Sequence, residues 1–285
     1  MKKLISTKRL FIYYLHVLAL PLFFIGSSAQ VFAQGNILIT PKRIVFNGSK
    51  KSYALNIANT GQDTISYEIS LVHNQMKEDG SIKKIVQPDS IQSFADRYLR
   101  FYPHSVTLPP NSSQSVRIQV TGTNELYPGE YRSNLYFRAL PNEKVFQQKK
   151  SEKDSGISMK IIPLIGISMP VFIQVDQSTA QVAFSEMSFN NEKDTIPTLK
   201  VTFNRTGNMS VYGDVAVDHV SPQGKTTRVG LAKGVAVYAP NAIRHFSLRL
   251  SKITGVNYHT GKLYLTYSDQ SSNTVKLAEA EITLN

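Results

Sequence analysis

Residues 52–58 read Ser-Tyr-Ala-Leu-Asn-Ile-Ala, with an apolar side chain at every second position. Successive side chains of a β-strand point to opposite faces, so this alternation places Tyr53, Leu55 and Ile57 on one face. Two further segments repeat the period: 65–71 and 116–120. No long segment has a convincing helical period. The pattern therefore predicts an all-β protein.

Turn-forming residues separate the alternating runs, and their order repeats along the chain. Short strands divided by such turns are typical of a sandwich or a barrel. Three landmarks recur in the same order in the two halves: Thr60-Gly61 and Thr206-Gly207, Pro110-Asn111 and Pro240-Asn241, Gly129 and Gly261. We therefore predict two immunoglobulin-like β-sandwiches in tandem, over residues 34–175 and 176–285.

The first 33 residues have the composition of a signal peptide. A cationic start is followed by an apolar stretch from Leu10 to Ile25 and by the cleavage-like sequence Val31-Phe32-Ala33. We predict cleavage after Ala33 and hence an exported protein. The alternative is an uncleaved membrane anchor, against which the short apolar run and Pro21 count. The sequence predicts no membrane span in the mature chain.

The net charge bears on which partners the protein can bind, and the absence of Cys bears on how its domains are stabilised. The full chain carries a formal charge of +12, and residues 1–33 hold four of its cations, so the mature charge is +8. This excess favours either solubility or acidic partners, and the sequence leaves both open. An exported chain with no nucleic-acid reader motif is expected to bind no nucleic acid. Without Cys, each sandwich has to bury a sufficient core unaided.

The mature chain shows no pattern typical of a catalytic site. Its histidines are far apart in sequence: His73, His104, His219, His245 and His259. In a chain without Cys, a zinc site would need histidines and carboxylates gathered by the fold, and no spacing indicates one. There is no Gly-x-Ser-x-Gly elbow and no phosphate-binding glycine loop. We predict a protein that is not an enzyme, with no catalytic residues, no metal and no cofactor.

Residues 40–48 read Thr-Pro-Lys-Arg-Ile-Val-Phe-Asn-Gly, so that a basic stretch enters an apolar strand, and after a turn the next strand ends in Asn59. This stretch resembles the opening strands of PapD-like periplasmic pilus-assembly chaperones. Further matches are Val-Thr-Leu-Pro-Pro-Asn at 106–111 and Leu-Tyr-Phe at 135–137. The resemblance extends over residues 37–175 and is weak, beyond the fold, after that.

The resemblance implies a specific way of binding a partner. Such a chaperone lends the last strand of its first sandwich to an exported subunit whose own sheet is incomplete, a form of β-augmentation. The donor side chains implied here are Ile157, Met159 and Ile161. Arg43 falls where the family's Arg holds the subunit's terminal carboxylate, which a guanidinium can bind bidentately. The alternatives are a solvated Arg43, and three apolar residues that complete the first core.

Three departures make the chain resemble a divergent relative. Ser168 stands at the position of the family's anchoring Lys, so half of the carboxylate clamp is absent or another cation replaces it. Pro163 lies inside the implied donor strand, where it lacks the N–H that a ladder needs. Phe172 stands where the family usually has a basic residue that helps lock the two domains. The polar segment 142–155 is predicted to be a long loop.

Two functions fit these observations. The first is a periplasmic chaperone-like protein that binds exported pilus or surface subunits by strand donation. The alternative is a secreted or cell-surface protein with a structural or adhesive role, because a sandwich fold does not by itself define a function.

Overall fold

The computed structural model describes residues 37–48, 50–86, 93–141, 164–192, 196–270 and 275–284. Several sequence predictions lie outside the described residues: the signal peptide 1–33, the donor residues Ile157, Met159 and Ile161, Pro163, and the loop 142–155. Strands make up nearly all of the regular structure that is described. Two short 3-10 turns, Asp96–Tyr98 and Thr123–Glu125, complete it.

The strands up to residue 175 form the first sandwich. They are β1 (Ile37–Thr40), β2 (Ile44–Asn47), β3 (Ser52–Asn59), β4 (Ile65–Met76), β5 (Ile82–Ile85), β6 (Leu99–Tyr102), β7 (Ser105–Leu108), β8 (Ser113–Val120), β9 (Gly129–Ala139) and β10 (Gly166–Val175). One sheet has the order β1-β3-β8-β6. The other has the order β2-β10-β9-β4-β5, with β7 also paired to β4.

The remaining strands form the second sandwich. They are β11 (Gln181–Asn190), β12 (Thr198–Thr206), β13 (Val211–Val220), β14 (Thr226–Val237), β15 (Ile243–Arg249), β16 (Lys262–Ser268) and β17 (Lys276–Thr283). Their two sheets have the orders β11-β12-β15 and β14-β13-β16-β17. The architecture confirms the predicted all-β class with two sandwiches. The exact boundary at residue 176 stays a prediction.

Each sandwich has its own apolar core, as the alternating pattern requires. In the first, Leu55 and Ile57 are fully buried, as expected for one face of β3. In the second, the fully buried Phe203 packs edge-to-face against the rings of Phe246 and Tyr267, with centroids 5.7 and 5.2 Å away. Burial of such side chains contributes about 2 kcal/mol each, which supplies cohesion without disulfides.

The chain passes from one sheet to the other between β1 and β2, and this crossing positions Arg43. β1 pairs antiparallel with β3, whereas β2 pairs parallel with β10 in the opposite sheet. The residues between β1 and β2 include the Thr40-Pro41 cis peptide bond. Arg43 directly precedes β2, so it lies where the chain enters the sheet that carries β10.

Tyr131 makes a hydrogen bond typical of immunoglobulin-like domains. Its hydroxyl accepts from the N–H of Tyr127 at 3.1 Å and donates to the carbonyl oxygen of Tyr127 at 3.4 Å. A Tyr at the start of a strand that bonds to main chain a few residues upstream is the tyrosine corner of these folds. This bond ties the start of β9 to the preceding loop.

Asn59 closes the end of the first sandwich through its side chain, which is 1% exposed. Its amide donates to the carbonyl oxygens of Asp63, Leu108 and Pro109 at 2.7, 3.0 and 3.1 Å. Its amide oxygen accepts from the N–H of Gly61 at 2.9 Å. One side chain therefore joins the loop after β3 to the end of β7.

Asn59→Ala is expected to lower the free energy of unfolding by about 2 kcal/mol, because buried carbonyl groups lose their donor. Urea unfolding followed by circular dichroism measures this loss. The matched control is Asn56→Ala, since Asn56 lies on the same strand and is exposed. Equal losses in the two variants would show that the hydrogen bonds of Asn59 contribute nothing special.

Candidate partner-binding cleft

Strand β10 has one side that is only partly covered. Along its full length it pairs antiparallel with β9, from Gly166 to Val175. On its other side, β2 pairs only with Val171–Gln174. Among the described residues, the segment Gly166–Pro170 therefore has no strand on that side. We call this segment the open edge.

The hydrogen-bonding pattern between β9 and β10 shows which main-chain groups of β10 point to the open edge. The N–H of Ala139 donates to the carbonyl oxygen of Ile165 at 3.2 Å, so this pair faces inward, toward β9. Facing pairs alternate along an antiparallel ladder. The main-chain groups of Gly166, Ser168 and Pro170 therefore point outward. The missing N–H of Pro170 falls on the open side, where proline is tolerated.

Side chains around the open edge are partly apolar. Leu164 and Ile165, which directly precede β10, are 48% and 42% exposed. Ser168 is exposed, and its hydroxyl oxygen accepts from Nδ2 of Asn74 at 3.0 Å. Ser168, which the sequence resemblance aligns with an anchoring Lys, lies on the open edge itself and contributes no charge.

Arg43 lies in the cleft between the two sandwiches. Its guanidinium carbon is 4.6 Å from the ring centre of Phe172, in the first sandwich, and 4.1 Å from that of Tyr212, in the second. Its Nε is buried and has no hydrogen-bond partner among the described residues. The structure therefore places Arg43 between two aromatic rings rather than in open solvent. Its role as a carboxylate anchor stays a prediction.

Phe172 is the apolar centre of this cleft. Its side chain is fully buried, and its ring centre is 5.7 Å from that of Tyr238 in the second sandwich. Where the sequence resemblance leads one to expect a basic residue, this chain has an aromatic contact between the two sandwiches. Such contacts contribute about 1 kcal/mol beyond the buried area.

Polar residues of β9 face the same cleft, and the sequence predictions did not include them. Glu130 accepts from Nε2 of Gln174 at 3.1 Å and from the main-chain N–H of Ser210 at 3.3 Å, and it also accepts from the Ser210 hydroxyl. These contacts join the first sandwich to the second. Arg132 packs its guanidinium carbon 4.3 Å from the ring centre of Tyr238.

The electrostatics of the cleft follow from burial and from an excess of arginine. Burial lowers the pKa of Arg132, while the nearby Tyr238 and Glu130 raise it. Burial also raises the pKa of Tyr238, an effect that Arg43 and Arg132 oppose because they favour the phenolate. Arginine side chains are protonated at pH 7. Since Arg43 and Arg132 outnumber the nearby carboxylate of Glu130, the described part of the cleft carries a net positive charge.

The β4–β5 hairpin makes a second contact between the sandwiches. Nδ2 of Asn241 donates to the carbonyl oxygen of Met76 at 2.8 Å, and the N–H of His245 donates to that of Glu78 at 2.6 Å. The imidazole Nε2 of His245 lies 3.9 Å from Oε2 of Glu78. The hairpin therefore docks on the edge of β15.

The described residues were also searched for other kinds of site. They contain no group of three or more His, Cys, Asp or Glu side chains placed to hold a metal ion. None of the helical segments described is long and apolar enough to cross a bilayer.

Two immunoglobulin-like sandwiches, with an aromatic and positive cleft between them and an open strand edge beside it, define a two-domain β-sandwich protein. No protein-family model matches the chain, and no curated protein matches it. Solved structures do match. The Pseudomonas aeruginosa CupB2 chaperone is 14% identical, with a TM-score of 0.45, over 87% of this chain and 100% of that one.

Two other solved structures are similar over a comparable length. The E. coli chaperone DraB is 14% identical, with a TM-score of 0.40, over 87% of this chain and 96% of that one. The Salmonella enterica SafA pilin in complex with the SafB chaperone matches at 11% identity, with a TM-score of 0.40, over 87% and 96% of the two chains.

Proposed function

We propose that the protein is a periplasmic chaperone-like protein that binds exported pilus or surface subunits by strand pairing at the open edge of β10. The observation that carries the proposal is the incomplete cover of that strand among the described residues, where β2 pairs with four of the ten residues of β10. A flat uncovered edge is an aggregation hazard that proteins normally protect. A partner strand that completes the ladder removes the hazard and gains main-chain hydrogen bonds.

The position of Arg43 gives the partner strand a direction. Ile44 pairs with Val171, so Arg43, one residue earlier, lies at the end of the open edge that carries Pro170. A partner strand whose terminal carboxylate reaches Arg43 must then run parallel to β10. It would occupy the same side of β10 as β2, in the same direction, and would end where β2 begins.

Apolar contact adds to the main-chain pairing. Leu164 and Ile165 are exposed beside the open edge and offer surface to the incomplete sheet of a subunit. The donor roles of Ile157, Met159 and Ile161 belong to the same proposal, since these residues precede the open edge at alternate positions. In this proposal the protein acts by binding and does not catalyse a reaction.

Ser168→Pro tests the proposal without breaking the sandwich. The N–H of Ser168 points to the open edge, so proline removes a donor that no described strand uses, and edges tolerate proline. We expect subunit capture to fall at least about tenfold, because one outward hydrogen bond is lost and the ring crowds the partner strand. The measurement is the amount of exported subunit that co-purifies with the tagged protein from the periplasm.

Ser168→Ala is the matched control, because it also loses the contact with Asn74 but keeps the N–H. It is expected to capture subunits as the unsubstituted protein does. Thermal unfolding of both variants confirms that they are folded. Equal capture by the proline and alanine variants, or no exported protein captured by the unsubstituted chain, would count decisively against strand pairing at this edge.

A further inference from the structure

The outer face of strand β10 carries a glycine directly beneath a tyrosine ring. Gly166 is the first residue of β10, and a Cβ built on it would lie 2.5 Å from Cζ of Tyr136 and closer still to the hydroxyl oxygen. A glycine inside a strand often marks such a close approach, because any other residue would collide. The ring of Tyr136 therefore lies on the main chain of β10 at the open edge.

The pairing of β9 with β10 explains why the ring reaches this glycine. Tyr136 pairs with Ser168, whereas Gly166 pairs with Arg138. Arg138 turns the other way, toward β4, where its Nε donates to Oε2 of Glu68 at 3.1 Å. The space above Gly166 is thus not used by its own pairing partner. Tyr136 fills that space diagonally, from two residues along β9.

The hydroxyl of Tyr136 lies over β10, at the end of the side chain that is remote from β9. It is the atom nearest to the Cβ position of Gly166, ahead of the ring carbons Cε2 and Cζ. Within the part of the chain that the structure describes, this hydroxyl makes no hydrogen bond. A phenolic hydroxyl can both donate and accept. It is therefore available to a group that arrives from the open side.

A partner strand at the open edge brings one side chain within reach of this hydroxyl. Neighbouring strands of a sheet lie about 4.8 Å apart, so a side chain beside Gly166 on the same face begins about that far from the Gly166 position. A hydroxyl or amide on that side chain spans most of the remaining gap to Tyr136. The partner residue beside Gly166 is therefore the one that meets the phenol.

The other residues on the outer face of the open edge offer less to a partner side chain. The hydroxyl of Ser168 is already engaged, since it accepts from Nδ2 of Asn74 at 3.0 Å. Pro170, the next residue on this face, has an apolar ring. Among the described side chains over the open edge, Tyr136 thus carries the polar group that has no protein partner.

Resting on the proposed function, we infer that Tyr136 is a specificity-determining residue of the open edge, whose hydroxyl bonds to the side chain that a partner strand places beside Gly166. The edge then favours strands with a hydrogen-bonding side chain, such as that of threonine, at this position over strands with an aliphatic one. Main-chain pairing gives affinity that depends little on sequence, and Tyr136 adds selection by side chain.

A pair of synthetic peptides tests this selection without a known client. Each has Arg-Lys at its N-terminus for solubility, then a strand in which alanine alternates with valine, and an amidated C-terminus so that no carboxylate takes part. The two differ only at the central alanine position, which is threonine in one and the similarly shaped valine in the other. A strand can shift by two residues and keep the same face, so the central residue can reach Gly166. Fluorescence anisotropy measures both dissociation constants.

Tyr136→Phe is the decisive variant, because it keeps the ring over Gly166 and removes only the hydroxyl. The threonine peptide is expected to lose about fivefold in affinity, which corresponds to one neutral hydrogen bond. The valine peptide is expected to bind the variant and the unsubstituted protein equally. Tyr102→Phe is the matched control and is expected to change neither affinity, since Tyr102 is 75% exposed on β6, in the other sheet.

Gly166→Ala keeps the hydroxyl but has to displace the ring, so it is expected to lower the affinity for the threonine peptide relative to the valine peptide as Tyr136→Phe does. If Tyr136→Phe leaves the ratio of the two affinities unchanged, the role of Tyr136 is overturned and strand pairing at the open edge stands. If neither peptide binds the unsubstituted protein, both proposals fail. Unchanged binding of the valine peptide to Tyr136→Phe, with the threonine peptide weakened, supports the inference and excludes simple unfolding.

Discussion

Glu130→Ala is expected to lower the free energy of unfolding by about 3 kcal/mol, because it removes a buried charge that both sandwiches use. Glu130 is 9% exposed and accepts hydrogen bonds from Gln174 of its own sandwich and from Ser210 of the other. Its loss leaves the Ser210 donors unpaired and the charges of Arg132 and Arg205 uncompensated. The contact between the two sandwiches is then expected to contribute less to the free energy of unfolding.

Urea unfolding followed by circular dichroism and tyrosine fluorescence measures this effect, since the chain has 14 Tyr and no Trp. The matched control is Glu68→Ala. Glu68 is half-exposed and pairs with Arg138 on the neighbouring strand. Exposed pairs of this kind contribute less than about 1 kcal/mol. A loss in Glu130→Ala no larger than in the control would show that the junction does not depend on this carboxylate.

Local alternation was enough to predict the cores. In β3, one face carries Leu55 and Ile57, and both are fully buried in the structure. The prediction succeeds because a half-buried strand obeys a period of two, which needs no knowledge of its neighbours. Asn59 lies on the same face at the end of β3. Its side-chain oxygen accepts a hydrogen bond from the main-chain N–H of Gly61, two residues later.

The polar half of the cleft could not be found this way. Glu130, Arg132 and Asn134 occupy every second position of β9, which is the pattern of a solvent-facing row. Glu130 and Arg132 are covered because the second sandwich docks on that face, with Ser210 on Glu130 and Tyr238 on Arg132. Docking joins residues about a hundred positions apart, and no local period records it. The alternating polar residues of β9 are visible in the sequence, but alternation alone assigns them to the solvent-facing surface.

The resemblance singled out Arg43 as a candidate, and its anchoring role stays a prediction, whereas the aromatic rings around it were not predicted. Its position before an apolar strand is a local motif. Tyr212 comes from the second sandwich, where the resemblance is weak, and its contact with Arg43 depends on how the two sandwiches meet. The open edge is similarly non-local, because it depends on how far β2 extends along β10 and not on either sequence alone.

Phe172→Lys is expected to lower the free energy of unfolding by about 4 kcal/mol, although it introduces the type of residue that the resemblance leads one to expect there. The side chain of Phe172 is fully buried, against Tyr238 and beside Arg43. A lysine at this site would bury a third positive charge next to Arg43 and Arg132, with no carboxylate free to pair with it. Urea unfolding gives the loss in stability.

Phe172→Leu separates the charge from the missing ring. Leucine keeps an apolar contact with Tyr238 and is expected to cost about 1.5 kcal/mol, for the lost ring contacts and a small cavity. The difference between the two variants then measures the repulsion that the arginines exert on a new cation. A lysine variant as stable as the leucine variant would mean that the cleft tolerates added positive charge, and that Arg43 and Arg132 do not repel a third cation at this site.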